Sequence, residues 1–455
     1  MKIFGSSGVR GVANEELTPA FVTRVAMAVG SVWTADADGP VRIALGRDTR
    51  ATGEMFADSA SAGLTSVGCD VDRLGVIPTP GLQSYADSEG VPGVMITASH
   101  NPAQYNGVKL VGSNGVELAR DALERVEDRL LSERFEQATW DETGDTRRVE
   151  DARERYVDAL LDSVDRETIA DADLTVALDP GHGAGALTSP EFLRRLGCRV
   201  VTVNGQPDGH FPGRDPEPVE KNLGDLRRLV RTADADVGIA HDGDADRAIF
   251  VDETGTHVEG DAALAALAAS ELQPGDTTVS AVNVSQRLVD AVDAAGADLE
   301  LTPIGSTNII TSIERLQREG ESVPVAGEGN GGVLFPDYRL ARDGAYTAAR
   351  FLELVAERPA SEISAAHAGY HNVRVNVQYG DDAERERLIR AAEAAAHDAD
   401  AELTTIDGYR LDFGDAWVLV RPSGTEPVVR IYAEARDPDR AQELADSMYD
   451  ALQHA

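Results

Sequence analysis

Two short stretches of this 455-residue chain hold residue types that could do chemistry. The first is Thr97-Ala98-Ser99-His100-Asn101-Pro102. It follows the apolar Val94-Met95-Ile96, short enough for a buried strand. Asn-Pro then forces a turn, because the residue before a proline is pushed out of the helical region. A serine hydroxyl just past a strand end stands where open α/β sheets keep their chemistry. Asn106-Gly107 reads as a turn, and Lys109 supplies a cation soon after it. The second stretch is Asp242-Gly243-Asp244-Ala245-Asp246-Arg247, behind the strand-like Val237-Gly238-Ile239-Ala240. Three carboxylates at alternate positions can converge on one hard cation, and oxygen ligands suit Mg²⁺. Arg247 beside them adds a place for an anionic substrate.

The acidic stretch has competing readings. An EF-hand loop also spaces aspartates this way, and Glu253 falls where its last ligand would be. Arg247 then stands where that loop needs glycine, and strands flank it where helices are required. An aspartate-nucleophile phosphatase also places Asp-x-Asp after a buried strand. A solvated acidic turn needs no ligand at all. A third candidate lies far along the chain, at Arg421, Ser423, Gly424, Thr425 and Arg430. Arginine offers a planar fork, the hydroxyls donate, and glycine lets backbone N–H groups approach a phosphate. A polar hairpin turn is the plainer alternative. Together, a strand-end serine, a three-carboxylate cation site and a separate phosphate clamp fit phosphoryl transfer.

Composition narrows the field. The net charge is −37, from 79 acidic and 42 basic residues, and only Lys2, Lys109 and Lys221 are lysines. Dispersed carboxylates with scarce lysine suit concentrated salt, where their repulsion is screened. Such a charge argues against a nucleic-acid partner. Cys69 and Cys198 form neither a disulfide framework nor a thiolate metal site. No apolar run reaches membrane-span length, and no signal-peptide pattern opens the chain. A soluble cytoplasmic protein is expected.

The elements that must hold these residues follow a βαβ rhythm. Strands are expected at 41–45, 74–77, 94–96, 174–178, 237–240, 248–251 and 277–284, with helices near 121–135, 154–164, 262–270 and 306–317. The strands at 41, 174 and 277 each run into a polar turn, which reads as three related α/β units. Phe4 to Gly11 reads as a flexible Gly-rich loop, and the glycines after Asp179 as a tight turn or a phosphate cradle. Acidic residues 136–152 read as a boundary. Beyond residue 360, alternating strands and two helices mark a smaller α+β domain. The expected domains are 1–150, 151–252, 253–365 and 366–455.

The four motifs, in this order, resemble the α-D-phosphohexomutase superfamily: residues 97–102, 242–247, 327–332 and 421–430. The opening Gly-rich segment and the Gly46-Arg47-Asp48-Thr49-Arg50 loop are similar to the family as well. The resemblance implies an α/β fold of three related α/β domains with mixed sheets plus a smaller C-terminal α+β domain around a central cleft. It implies a phosphoserine at Ser99, with Mg²⁺, one per chain, held by Asp242, Asp244, Asp246 and the Ser99 phosphate. A hexose monophosphate would exchange phosphate with Ser99 through a bound sugar 1,6-bisphosphate, which also serves as activator. Arg10, His100, Lys109 and Arg247 would surround the reacting group. Lys109 would be the general acid/base, its pKa lowered by burial among cations. Glu328 and Asn330 would read the sugar, and Arg421, Ser423, Gly424, Thr425 and Arg430 would hold the phosphate that is not reacting. Glu328-Gly329-Asn330-Gly331-Gly332 lacks the histidine of the common bacterial pattern and looks most like archaeal members assigned to glucosamine phosphate. Mannose or glucose phosphate is the alternative substrate, and the chain would work as a monomer or homodimer.

Overall fold

The structure is a computed structural model that describes residues 3–5, 8–37, 39–423 and 427–454. It divides into two compact units, one of residues up to 267 with 325–365, the other of 268–324 with 366–455.

The first unit holds two mixed sheets. One has the strand order Val9–Val12, Tyr105–Val111, Gly93–Ile96, Arg42–Arg47, Asp70–Val76, Thr146–Arg148. Its middle strands are parallel, and Tyr105–Val111 runs antiparallel to both of its neighbours. Helices Pro19–Asp36, Gly53–Ser66 and Arg120–Leu131 bury one face of that sheet with Val22, Val25, Val29, Phe56, Leu64 and Val126. Thr18 caps the first helix, accepting from the Phe21 N–H at 3.2 Å, and Pro19 occupies its first position, where no N–H is needed.

Four expectations change here. Asn106-Gly107 is part of a central strand, not a turn, because Gly107 has no Cβ to strike the Val9 and Thr97 carbonyls 2.5 and 2.6 Å away from where one would be. The opening segment ends in the strand Val9–Val12 instead of running on as a loop; Ser6 and Ser7 lie outside the described residues. Pro78-Thr79-Pro80 reads in sequence as the turn after the strand at 74–77, yet Thr79-Pro80 opens a helix, Thr79–Glu89. The acidic boundary ends in a short strand, Thr146–Arg148, that pairs with Asp70–Val76.

The second sheet runs His257–Val258, Ile249–Asp252, Val237–Ala240, Thr175–Asp179, Arg199–Thr202. Three antiparallel strands complete the unit: Ala326–Glu328, Gly332–Phe335 and Arg339–Arg342, followed by helix Gly344–Glu357. Phe351 of that helix stacks on Phe250, ring centroids 3.9 Å apart.

In the second unit, Thr277–Ala281 pairs in parallel with Asp298–Thr302. A five-stranded antiparallel sheet has the order His371–Gln378, Val428–Ala435, Ala416–Pro422, Tyr409–Asp412, Glu402–Thr404. Helices Asp382–Asp398 and Pro438–Gln453 pack on it through Leu388, Ala392, Ala441 and Leu452. Among the described residues, no helix is long and apolar enough to cross a membrane.

Candidate functional site

Ser99 follows the strand Gly93–Ile96 with a left-handed backbone, φ +50°, which costs a serine about 1–3 kcal/mol unless its surroundings hold it. They do. Its N–H donates to Thr97 Oγ1 at 2.9 Å, and its carbonyl accepts from Arg50 Nη2 at 2.8 Å. The buried Arg50 guanidinium also donates to the carbonyls of Asn101, Pro102 and Tyr105 at 2.6, 2.6 and 2.9 Å. Its charge is balanced by Asp48, 3.1 Å away, which in turn accepts from Thr97 Oγ1 at 2.6 Å. One arginine therefore shapes the whole turn around the serine.

The acidic loop is built the same way. Arg214, also buried, pairs with Asp179 at 2.8 Å and donates to the His241 carbonyl at 2.7 Å, immediately before Asp242. Gly183 packs on the loop so closely that a Cβ there would meet the Gly243 carbonyl at 2.6 Å. The glycines after Asp179 therefore brace the acidic loop, and the Arg214 guanidinium fills the space beside Gly181. His182 is a loop residue, its Nδ1 2.8 Å from the Gln206 carbonyl.

These two loops meet. Ser99 Oγ donates to Asp242 Oδ2 at 2.6 Å. Asp244 Oδ2 accepts from Thr79 Oγ1 at 2.5 Å and from Lys109 Nζ at 2.9 Å, at the start of the helix Thr79–Glu89, where the backbone dipole favours a negative charge. Asp246 Oδ2 accepts from Lys109 Nζ at 3.2 Å and from Arg342 Nη2 at 2.7 Å. All three carboxylates are buried, and each keeps its Oδ1 without a hydrogen-bond partner. Ligand oxygens from the three lie within 4.8 Å of one another. Three orphaned buried carboxylate oxygens are what a hard divalent cation needs and what a folded chain otherwise avoids. Asp242, Asp244 and Asp246 thus fit Mg²⁺ by their donor chemistry, and neither the EF-hand nor the solvated turn describes them: strands flank the loop and none of the three faces solvent.

The electrostatics agree. Burial, with Asp246 and Asp244 close by, raises the Asp242 carboxyl to about 8. Burial works to raise Asp246 too, but Arg342, Lys109 and Arg247 outweigh it and hold it low. The site is short of positive charge at Asp242, next to the serine. For Lys109 the sequence suggested a pKa lowered by burial among cations. Its ionic partners are instead the carboxylates of Asp244 and Asp246; burial works to lower it, they more than offset this, and the net direction is upward.

His100 Nδ1 lies 3.3 Å from Ser99 Oγ, and burial beside Arg247 and Arg10 drives its pKa down to about 2, so its ring is neutral. Arg10, on the strand Val9–Val12, donates to Asn101 Oδ1 at 2.7 Å. Arg247 Nε has no hydrogen-bond partner and stands 3.8 Å from Asp246 Oδ1. Glu328 and Asn330 sit in the hairpin between Ala326–Glu328 and Gly332–Phe335; Asn330 Oδ1 accepts from the Gly332 N–H at 2.9 Å, and its amide lies 3.4 Å from Glu328 Oε2. Gly331, φ +85°, lets the hairpin turn, and its carbonyl accepts from the Ala248 N–H at 3.1 Å, next to Arg247. The structure thus places Arg10, Ser99, His100, Lys109, the three aspartates, Arg247, Glu328 and Asn330 in one unit.

Arg421, Ser423 and Arg430 lie in the second unit. Arg421 and Arg430 are paired across two antiparallel strands, and Arg421 Nη2 is 3.1 Å from Asp407 Oδ2. Gly424 and Thr425 lie outside the described residues. Four residues that sequence reading gave no role prove to shape the site: Arg50, Thr79, Arg214 and Arg342. Only Arg50 carried a signal, in the polar loop 46–50 after the first parallel strand.

Comparison with known proteins identifies the family. Family models of phosphoglucomutase/phosphomannomutase match in chain order: α/β/α domain I on residues 1–137, α/β/α domain II on 154–255, α/β/α domain III on 259–370 and the C-terminal domain on 372–451. A phosphoglucomutase/phosphomannomutase of Thermococcus kodakarensis is 40% identical over 100% of this chain and 99% of its own length. A probable phosphoglucosamine mutase of Methanopyrus kandleri is 39% identical over 99% of this chain and 98% of its own. A crystal structure of a phosphoglucomutase/phosphomannomutase family protein from Burkholderia thailandensis superposes with a TM-score of 0.86 at 27% identity, covering 99% of this chain and 97% of the other. With four successive domains matched and relatives aligned end to end, the chain belongs to the phosphoglucomutase/phosphomannomutase family of α-D-phosphohexomutases, enzymes that move a phosphoryl group within a hexose phosphate.

Proposed function

We propose that this phosphohexomutase interconverts glucosamine 6-phosphate and glucosamine 1-phosphate through a phosphorylated Ser99 and a sugar 1,6-bisphosphate. One observation carries the reading: Ser99 Oγ sits 2.6 Å from Asp242, inside a group of three buried carboxylates that each retain an unpartnered oxygen. Asp242, Asp244, Asp246 and the Ser99 phosphate would hold Mg²⁺, which when bound neutralises charge on the transferring group.

The chain's own residues have defined tasks in this reading. Phospho-Ser99 gives up its phosphoryl group as the Oγ–P bond breaks and a P–O bond forms to the free sugar hydroxyl. That hydroxyl loses a proton and Ser99 Oγ gains one, so the step is proton-neutral overall. Lys109 is the residue assigned to this proton movement: its ammonium, held by Asp244 and Asp246, gives the proton that Ser99 Oγ gains, and the amine then takes up the one the hydroxyl loses. Arg10 and Arg247 stabilise the anionic phosphoryl group, and the neutral His100 hydrogen-bonds beside Ser99 Oγ. Glu328 accepts from the sugar, with Asn330 beside it. Arg421, Ser423, Gly424, Thr425 and Arg430 hold the other phosphate. The bisphosphate then turns over and returns its second phosphoryl group to Ser99. Each of the segments 1–150, 151–252, 253–365 and 366–455 acts as a domain carrying one of these loops.

Glucosamine phosphate is supported by the Glu-x-Asn-Gly-Gly hairpin and by the name of the Methanopyrus relative. The name of the Thermococcus relative favours a second reading, phosphomannomutase/phosphoglucomutase by the same mechanism. The test is kcat/KM for the glucosamine, glucose and mannose phosphates, in molar KCl with Mg²⁺ and sugar bisphosphate. A clear preference for glucosamine phosphate is expected. Preference for a neutral hexose overturns the substrate and keeps the mechanism. Failure with all three, in folded protein, overturns both.

A further inference from the structure

Arg342 stands apart from the motifs, yet it joins two of them. It ends the strand Arg339–Arg342, which pairs with Gly332–Phe335, the strand leaving the Glu328 hairpin. Its side chain is buried and packs on that hairpin: a Cβ on Gly332 would come within 2.8 Å of Arg342 Cδ. Its Nη2 donates to Asp246 Oδ2 at 2.7 Å and lies 3.5 Å from Glu117 Oε1.

Asp246 Oδ2 therefore has two cationic partners of different character. Lys109 Nζ is a point charge on a flexible stem, shared with Asp244 at 2.9 Å. The Arg342 guanidinium is a planar fork on a paired strand that meets Asp246 through Nη2 alone, so it sets direction as well as charge. Without that fork, Asp246 Oδ2 keeps only the shared Lys109 bond at 3.2 Å, and the carboxylate can turn to spend Oδ1 on a neighbouring cation; Arg247 Nε is already 3.8 Å from it. We infer that Arg342 is a positioning residue for the cation site: it holds Asp246 by Oδ2 and so keeps Oδ1 available as a metal ligand. This rests on the metal reading above and is independent of which sugar the enzyme prefers.

The sign of the effect separates positioning from charge. Electrostatics alone says that removing a positive charge beside three carboxylates strengthens cation binding. Positioning says the reverse. The test is titration of the full-length wild type, R342K and R342M with Mn²⁺ alone, the free ion followed by electron paramagnetic resonance. Near-ultraviolet circular dichroism confirms native packing. R342K keeps the charge and loses the fork, and it is expected to weaken Mn²⁺ about tenfold. R342M is expected to weaken it at least as much, despite its lost positive charge. Wild-type affinity in folded R342K, or tighter binding in R342M, overturns the inference. A structural role alone would lower the melting temperature and leave the affinity of the folded protein unchanged, and that result also overturns it. Should the wild type itself take up no Mn²⁺, the metal reading falls first.

Discussion

Replacing Arg50 with methionine should damage both the fold and the turn that carries Ser99. The side chain is buried, balanced by the buried Asp48 at 3.1 Å, and donates to the carbonyls of Ser99, Asn101, Pro102 and Tyr105. Methionine fills much of the volume and removes every donor. Breaking a buried ion pair from one side costs about 3–5 kcal/mol, because the remaining charge is left without compensation. Each carbonyl that loses its donor adds about 1 kcal/mol where nothing replaces it. A loss of at least ~3 kcal/mol follows, more than a hundredfold in the folded-to-unfolded ratio. With an unfolding entropy of about 2.1 cal/mol/K per residue, a chain of this size shifts by about 1 °C per kcal/mol, so calorimetry in molar KCl should show the melting temperature falling by ~3 °C or more. Activity should fall further, by about a hundredfold, since the Ser99 turn at φ +50° loses its clamp and a 1 Å misplacement is costly. The deficit has a sign in pH. Burial raises the Asp48 carboxyl, Arg50 lowers it, and the net direction is upward. Removing Arg50 raises it further. A carboxyl raised in the folded state favours folding below its unfolded pKa, and that contribution is lost as pH rises through the folded pKa. The gap between variant and wild type should therefore narrow on acidification, and adding D48N to R50M should recover part of it. A melting temperature within ~2 °C of wild type, with turnover retained, would refute the reasoning.

Ser99→Ala should abolish mutase turnover and any phosphorylation of the 97–102 segment seen by mass spectrometry after incubation with sugar bisphosphate; retained phosphate release would point to a phosphatase acting from Asp242. If Arg421 holds the phosphate that is not reacting, Arg421→Ala should raise KM alike for every sugar phosphate accepted; a loss confined to one sugar would refute that role. With a net charge of −37, the fold should weaken in dilute salt, where the screening length grows from about 3 Å at 1 M to about 10 Å at 0.1 M; an unchanged melting temperature between dilute and molar KCl would contradict this. Asp244→Asn should weaken Mn²⁺ binding without Arg342 being touched, and wild-type affinity would remove Asp244 from the ligand set.

Some features were legible because they are local. Ser99 and the three aspartates sit in contiguous runs whose residue types state their chemistry, and strands such as 94–96 and 237–240 announce themselves as apolar runs before polar turns. Others misled for a physical reason. Asn106-Gly107 has turn composition, but a glycine without Cβ is also what a crowded central strand requires. The lysine environment misled because charge along the chain says nothing of charge across it: Lys109 faces carboxylates more than 130 positions away in sequence.

What the chain by itself determined is the inventory: a strand-end serine, an alternating carboxylate loop, a glycine-rich loop with Glu328 and Asn330, and two arginines at 421 and 430. Only the tertiary structure decided how they work. It put Ser99 against Asp242 across 143 positions, and it recruited Thr79 to Asp244 and Arg342 to Asp246 across 165 and 96. It also turned two of 39 arginines, Arg50 and Arg214, into clamps that bend the serine and acidic loops into place. Such pairings leave no pattern in sequence, because an arginine acquires its partners from whichever buried carboxylates and carbonyls the folded sheets carry to it.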